Sequence, residues 1–120
     1  MSMNYAISDT FNKSTATNYV EELPEQTHHF ATNKHKDFTP AFEEIVQKYG
    51  LDLDGDWNKE VMKHLGRYPH EYHRFVLETM QTIDGIAAGN VDVFLNLYDL
   101  YVKQTVINNP ILLRKAGWIY

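Results

Sequence analysis

Thr27-His28-His29-Phe30 is the stretch from which the rest of the chain is read. On an extended backbone, successive side chains point to opposite faces. Two adjacent imidazoles there serve different neighbours, so one can hold a metal while the other faces another group. Imidazole suits both uses: its nitrogen lone pair binds divalent metal, and its pKa lies near physiological pH. Downstream comes Asn58, then His64-Leu65-Gly66-Arg67-Tyr68-Pro69-His70-Glu71-Tyr72-His73. Five of the six histidines fall in these two places, and His35 is the exception. A lone histidine pair usually means nothing beyond surface or core packing. The pair together with the second cluster points to one shared site.

With 120 residues the chain makes one domain. Its 43% hydrophobic and 13% aromatic content suffices for a core. It has no cysteine, so any metal site must use histidine, carboxylate, amide or backbone ligands. No apolar run reaches membrane-spanning length and no signal peptide is visible. The net charge of -5 argues against a general nucleic-acid coat protein, which is usually basic. It leaves room for an enzyme whose phosphate contacts are local and metal-assisted.

Residues 1–26 lack periodicity and read as an extended arm or linker, and residues 27–33 as a short strand. Thr39 and Pro40 suit the N-cap and first position of a helix. Phe42, Ile45, Val46 and Tyr49 give it an apolar stripe, and Gly50 a stop. Leu51 to Trp57 is an acidic turn; a calcium loop fails there because Trp57 stands where the glycine is required. Trp57 is expected to anchor the turn to the core. Asn58 to Lys63 reads as a short strand or turn. A second helix is expected from Pro69, with Tyr72, Val76, Met80 and Ile83 along one face and Gly85 and Gly89 punctuating its end. Asn90 should cap a third helix carrying Val91, Phe94, Leu95, Tyr98, Tyr101, Val102 and Val106, stopped at Asn108-Asn109-Pro110. A short helical turn over residues 111–116 follows.

Phosphodiester hydrolysis needs an activated water, charge neutralisation at phosphate and help for the leaving oxygen. One divalent metal supplies the last two, and a neutral histidine takes the water's proton. On this reading His28 and His64 are metal ligands and His29 is the general base. Asn58 holds the His29 ring through its side chain or backbone carbonyl.

The double histidine, the later Asn58, and the string His64, Gly66, Tyr68, Tyr72 together resemble the histidine–metal finger (HNH-type) nucleases. The nearest subgroup is the toxin nucleases named for an Ala-His-His motif, with Thr27 standing where that Ala would be. The resemblance covers roughly residues 27–80. It implies a helix-rich α+β fold: a small ββα-metal, treble-clef-like finger over about 27–84, packed with additional helices over about 90–116. It implies one divalent metal, Mg2+ first and Zn2+ or Mn2+ next, chelated by the first histidine while the second activates water. Tyr68 departs from the pattern, which has a further ligand histidine there. His70, His73 or water would have to substitute, and His73 is taken as the added ligand. Arg67 is a candidate phosphate clamp, and Tyr72 a candidate for substrate contact or site support. Lys34, His35 and Lys36 could touch a nucleic-acid backbone, although a charge run is usually a solvated face.

The resemblance further implies the C-terminal toxic end of a secreted bacterial polymorphic toxin. Such a domain cuts DNA, or RNA, in the cytoplasm of a target cell without inserting into its membrane, and a cognate immunity protein neutralises it. The alternatives are a non-enzymatic helical protein-interaction module, with the histidines incidental, and a decayed nuclease that keeps the fold.

Overall fold

The computed structural model describes residues 23–63 and 66–118, so most of the expected N-terminal arm, together with His64 and Leu65, lies outside the described residues. Strand β1 (Glu25–His29) pairs antiparallel with β2 (Lys59–Lys63), with His28 opposite Glu60 and His29 opposite Lys59. β1 starts two residues before the predicted strand and stops short at His29. The Phe30 amide still donates to the Asn58 carbonyl at 2.9 Å, but the next amide, that of Ala31, donates to the Asn58 side chain at 2.9 Å. A side-chain amide cannot continue a ladder, so the strand ends there and Phe30 and Ala31 turn into the core.

Between the strands runs helix α1 (Phe38–Val46), prolonged by a 3-10 turn, Gln47–Tyr49. Its buried face is the expected Phe42, Ile45, Val46 and Tyr49, and Gly50 ends it at φ 68°, the left-handed conformation that glycine adopts without strain. Its start differs from expectation. The helix begins at Phe38 with Asp37 in the capping position, and no side chain caps it. Thr39 lies inside the first turn, where its hydroxyl donates to the Thr32 carbonyl at 2.8 Å and accepts from the His35 amide at 2.9 Å. That hydroxyl closes the loop leaving β1 instead of capping. Pro40 is tolerated because first-turn amides have no helical partner.

Helix α2 (His70–Ala87) buries Tyr72, His73, Val76, Met80, Ile83 and Ala87. It runs through Gly85, which was expected to break it. Burial of Ile83 and Ala87 on either side outweighs the roughly 1 kcal/mol that an interior glycine costs. The left-handed residues that end it are Ala88 at φ 48° and Gly89 at φ 91°.

Asn90 caps α3 (Val91–Tyr98) as expected, its side chain accepting from the Val93 amide at 3.1 Å. A π-helical turn, Asp99–Lys103, then leads into α4 (Gln104–Asn108). The buried stripe explains the π turn. Phe94, Tyr98, Val102 and Val106 recur every fourth residue. At 100° per residue an α-helix would carry the last of them roughly 120° off the face of the first, and a one-residue bulge takes back about 100°. Tyr101, expected on that stripe, is instead 52% exposed on the bulge beside Leu100. Two 3-10 turns, Pro110–Leu113 and Lys115–Trp118, follow.

α1 packs on α2 and α2 on α3, so the core lies between the three helices and the inner end of the two-stranded sheet. The order β1, β2, α2, with α1 and the acidic turn inserted between the strands, is the helix-rich α+β arrangement that was expected. No described helix is long and apolar enough to cross a membrane.

Candidate nuclease site

Strand alternation sends His28 and His29 to different environments. His28 is fully buried, and the His29 side chain is 19% exposed. The Tyr72 hydroxyl donates to the Phe30 carbonyl at 2.7 Å and lies 3.1 Å from His28 Nε2. A phenol has one hydrogen, so towards His28 this oxygen can only accept. The imidazole proton is therefore on Nε2 and the lone pair on Nδ1. Burial pushes the Tyr72 phenol well above its ordinary pKa, so it remains a donor. Tyr72 was a candidate for substrate contact or site support; being fully buried, its place is behind His28, holding that ring.

Tyr68 packs edge-on against His28, with ring centroids 4.7 Å apart. Tyr68, where the resemblance implies a further ligand histidine, therefore stands beside the first histidine of the pair. Burial raises its pKa, which keeps the phenol neutral and a poor ligand.

The His29 ring reaches the acidic turn. Its Nε2 lies 2.9 Å from Asp54 Oδ1, and Lys59 Nζ lies 3.6 Å from the same oxygen. The His29 hydrogen bond first, and then the Lys59 charge, hold the Asp54 carboxyl below the usual carboxylate range. The expected partner of His29 was Asn58, and this is corrected. Asn58 Nδ2 donates to the Ala31 and Leu53 carbonyls, each at 2.8 Å. Its Oδ1 accepts from the Ala31 amide at 2.9 Å and from the Tyr98 hydroxyl at 2.6 Å. Those bonds use the full capacity of the side chain, and the backbone carbonyl takes the Phe30 amide. Asn58 thus clamps the end of β1 to the acidic turn and to α3, and places His29 only through the backbone.

Among the described residues, the other histidines, His35, His70 and His73, form a second group at the start of α2. His35 Nδ1 accepts from the Asp37 and Phe38 amides at 3.0 and 3.2 Å. Neutral His35 therefore carries its proton on Nε2, which lies 3.4 Å from His70 Nε2. His73, expected as a metal ligand, packs its ring against His35 and Phe38, each centroid 5.4 Å away. Desolvation first, and then His35 and His70, lower its pKa to about 4. Arg67 is exposed on the loop before Tyr68, and Lys34 and Lys36 are exposed after β1.

His28 fits a cation, because its lone-pair nitrogen is fixed by the Tyr72 contact. Its expected co-ligand His64 lies outside the described residues, and among the described residues no three His, Asp or Glu side chains are grouped to hold a metal. Sequence reading missed two contributors. Asp54 was read as a solvated turn and Tyr98 as plain core. The first is 25 residues from its partner and the second 40, so no local spacing announces either.

No curated protein and no solved structure matches the chain. One family model does, over residues 10–95: AHH, a nuclease family of the HNH/ENDO VII superfamily with conserved AHH. The match spans the strand pair with its double histidine, the acidic turn, Asn58 and the whole of α2. The chain belongs to this AHH nuclease family.

Proposed function

We propose that the chain is a metal-dependent endonuclease that hydrolyses phosphodiester bonds of DNA. It acts in this reading as the tip of a larger secreted bacterial toxin, inside a target cell, and a cognate immunity protein neutralises it. The observation that carries the catalytic part is the division of the pair. His28 is buried with its ring fixed from behind by Tyr72, and His29 is half-buried on the opposite strand face. His28 and His64 would hold a divalent cation, which when bound neutralises phosphate charge and eases departure of the leaving oxygen. His29 accepts a proton from water as the water oxygen attacks phosphorus. The bond from phosphorus to the leaving oxygen breaks, and solvent returns a proton to that oxygen. Arg67 stands on the loop beside Tyr68, where an exposed guanidinium suits a phosphate.

Tyr68 supports a second reading, a decayed nuclease, since a neutral phenol packs on His28 where the family has a ligand. Plasmid nicking with magnesium, manganese or zinc separates the two. An active enzyme nicks, and His29→Ala lowers the rate by about 100-fold or more. Persistent cleavage by His29→Ala removes His29 as the base. A silent wild type whose Tyr68→His variant cuts is an inactivated copy. Silence of both favours a non-enzymatic module.

A further inference from the structure

We propose that Asp54 is a positioning residue of the site: its carboxylate holds the His29 ring through Nε2–H and leaves Nδ1 as the nitrogen that accepts the proton. This rests on the reading of His29 as general base. An ionised carboxylate only accepts hydrogen bonds, so the 2.9 Å contact with Asp54 Oδ1 requires the His29 proton on Nε2. A carboxylate behind an imidazole selects the tautomer, restrains the ring and stabilises the imidazolium that forms when the proton arrives.

An exposed ion pair is ordinarily a weak and incidental contact. The turn that carries Asp54 is, however, a built one. The Asp54 amide donates to Asp52 Oδ1 at 2.8 Å. The Asp52 carbonyl accepts from the Gly55 amide at 2.9 Å and from Trp57 Nε1 at 2.7 Å. A Cβ on Gly55 would come within 2.8 Å of the Trp57 ring. That ring packs edge-on against Tyr98, centroids 4.9 Å apart, and Tyr98 bonds Asn58. The short Asp54 side chain therefore projects from a frame tied to the core, and His29 meets it with little freedom left to lose. Lys59 completes the arrangement. It pairs with His29 across the strands and lies 3.6 Å from the same Asp54 oxygen. Its charge offsets that of Asp54, which would otherwise repel a phosphate approaching His29.

The test uses the full chain, supercoiled plasmid and whichever of magnesium, manganese or zinc supports cutting. Asp54→Ala is expected to lower kcat about 10- to 100-fold with KM changed less than about twofold. Asp54→Glu should recover part of the loss. Asp56→Asn removes one charge from the same exposed turn and should cut like wild type. Nitrogen-15 NMR of the imidazole should find neutral His29 protonated at Nε2 in wild type and a tautomer mixture in Asp54→Ala. Wild-type cutting matched by Asp54→Ala, or a wild-type His29 protonated at Nδ1, overturns this inference alone. A chain that cuts nothing with any of the three cations, either as wild type or as Tyr68→His, removes the base reading, and this one with it; where only Tyr68→His cuts, the Asp54 comparison is made in that background.

Discussion

The hydroxyl of Tyr72 decides which nitrogen of His28 can meet a cation, because its hydrogen is committed to the Phe30 carbonyl. Replacing Tyr72 by Phe leaves that buried carbonyl and His28 Nε2–H without this partner. The expected result is a loss of about 2 kcal/mol in urea unfolding and a fall in nicking, with overall helicity kept. Asn58 is more exacting. Asn58→Asp sets a carboxylate oxygen against the Ala31 and Leu53 carbonyls where two N–H donors stood. It should cost about 3 kcal/mol or more, read as a lowered unfolding midpoint. A stable Asn58→Asp would mean that this clamp is not what closes the end of β1.

Among the elements, the run from α3 to α4 is the most specific in its demands. The four-residue recurrence of Phe94, Tyr98, Val102 and Val106 needs the π turn, and Leu100 on that turn is 54% exposed. Deleting Leu100 shortens the later spacing by one residue, which is the spacing an ordinary α-helix wants. The deletion should therefore change stability by less than about 1 kcal/mol. Inserting an alanine after Leu100 instead rotates Val102 and Val106 a further ~100° off the core, at about 3 kcal/mol or more. Thermal melts of the two variants decide it, and equal losses would show that the bulge does not set the register.

At the scale of the whole molecule, α1 meets α2 where the Phe38 ring packs against buried His73. The folded-state pKa of His73 is lowered from 6.5 to about 4 by burial and by its neighbours His35 and His70. Between those two values the unfolded chain binds the proton and the folded chain does not, so stability falls as pH drops from about 6.5 towards 4. The size is on the order of 2 kcal/mol. Urea midpoints at pH 7.5 and pH 5, compared with those of His73→Leu, isolate this contribution. A variant that loses as much stability on acidification as wild type would exclude His73 as its source.

What the chain's own order of residues determined was the set of elements and the division of the histidine pair. Apolar spacing gave α1, α2 and α3, Gly50 and Asn90 ended and capped them, and strand alternation separated His28 from His29. These follow from local periodicity and from backbone conformations that few residues satisfy. Which groups meet those two rings was decided by tertiary structure alone. Asp54 rather than Asn58 faces His29, Tyr72 stands behind His28, and His73 joins His35. The physical reason is that hydrogen-bond partners 25 to 44 residues apart are selected by how the core closes. Asn58 is saturated by the end of β1, α3 and the turn, and the carboxylate on that turn is what meets His29.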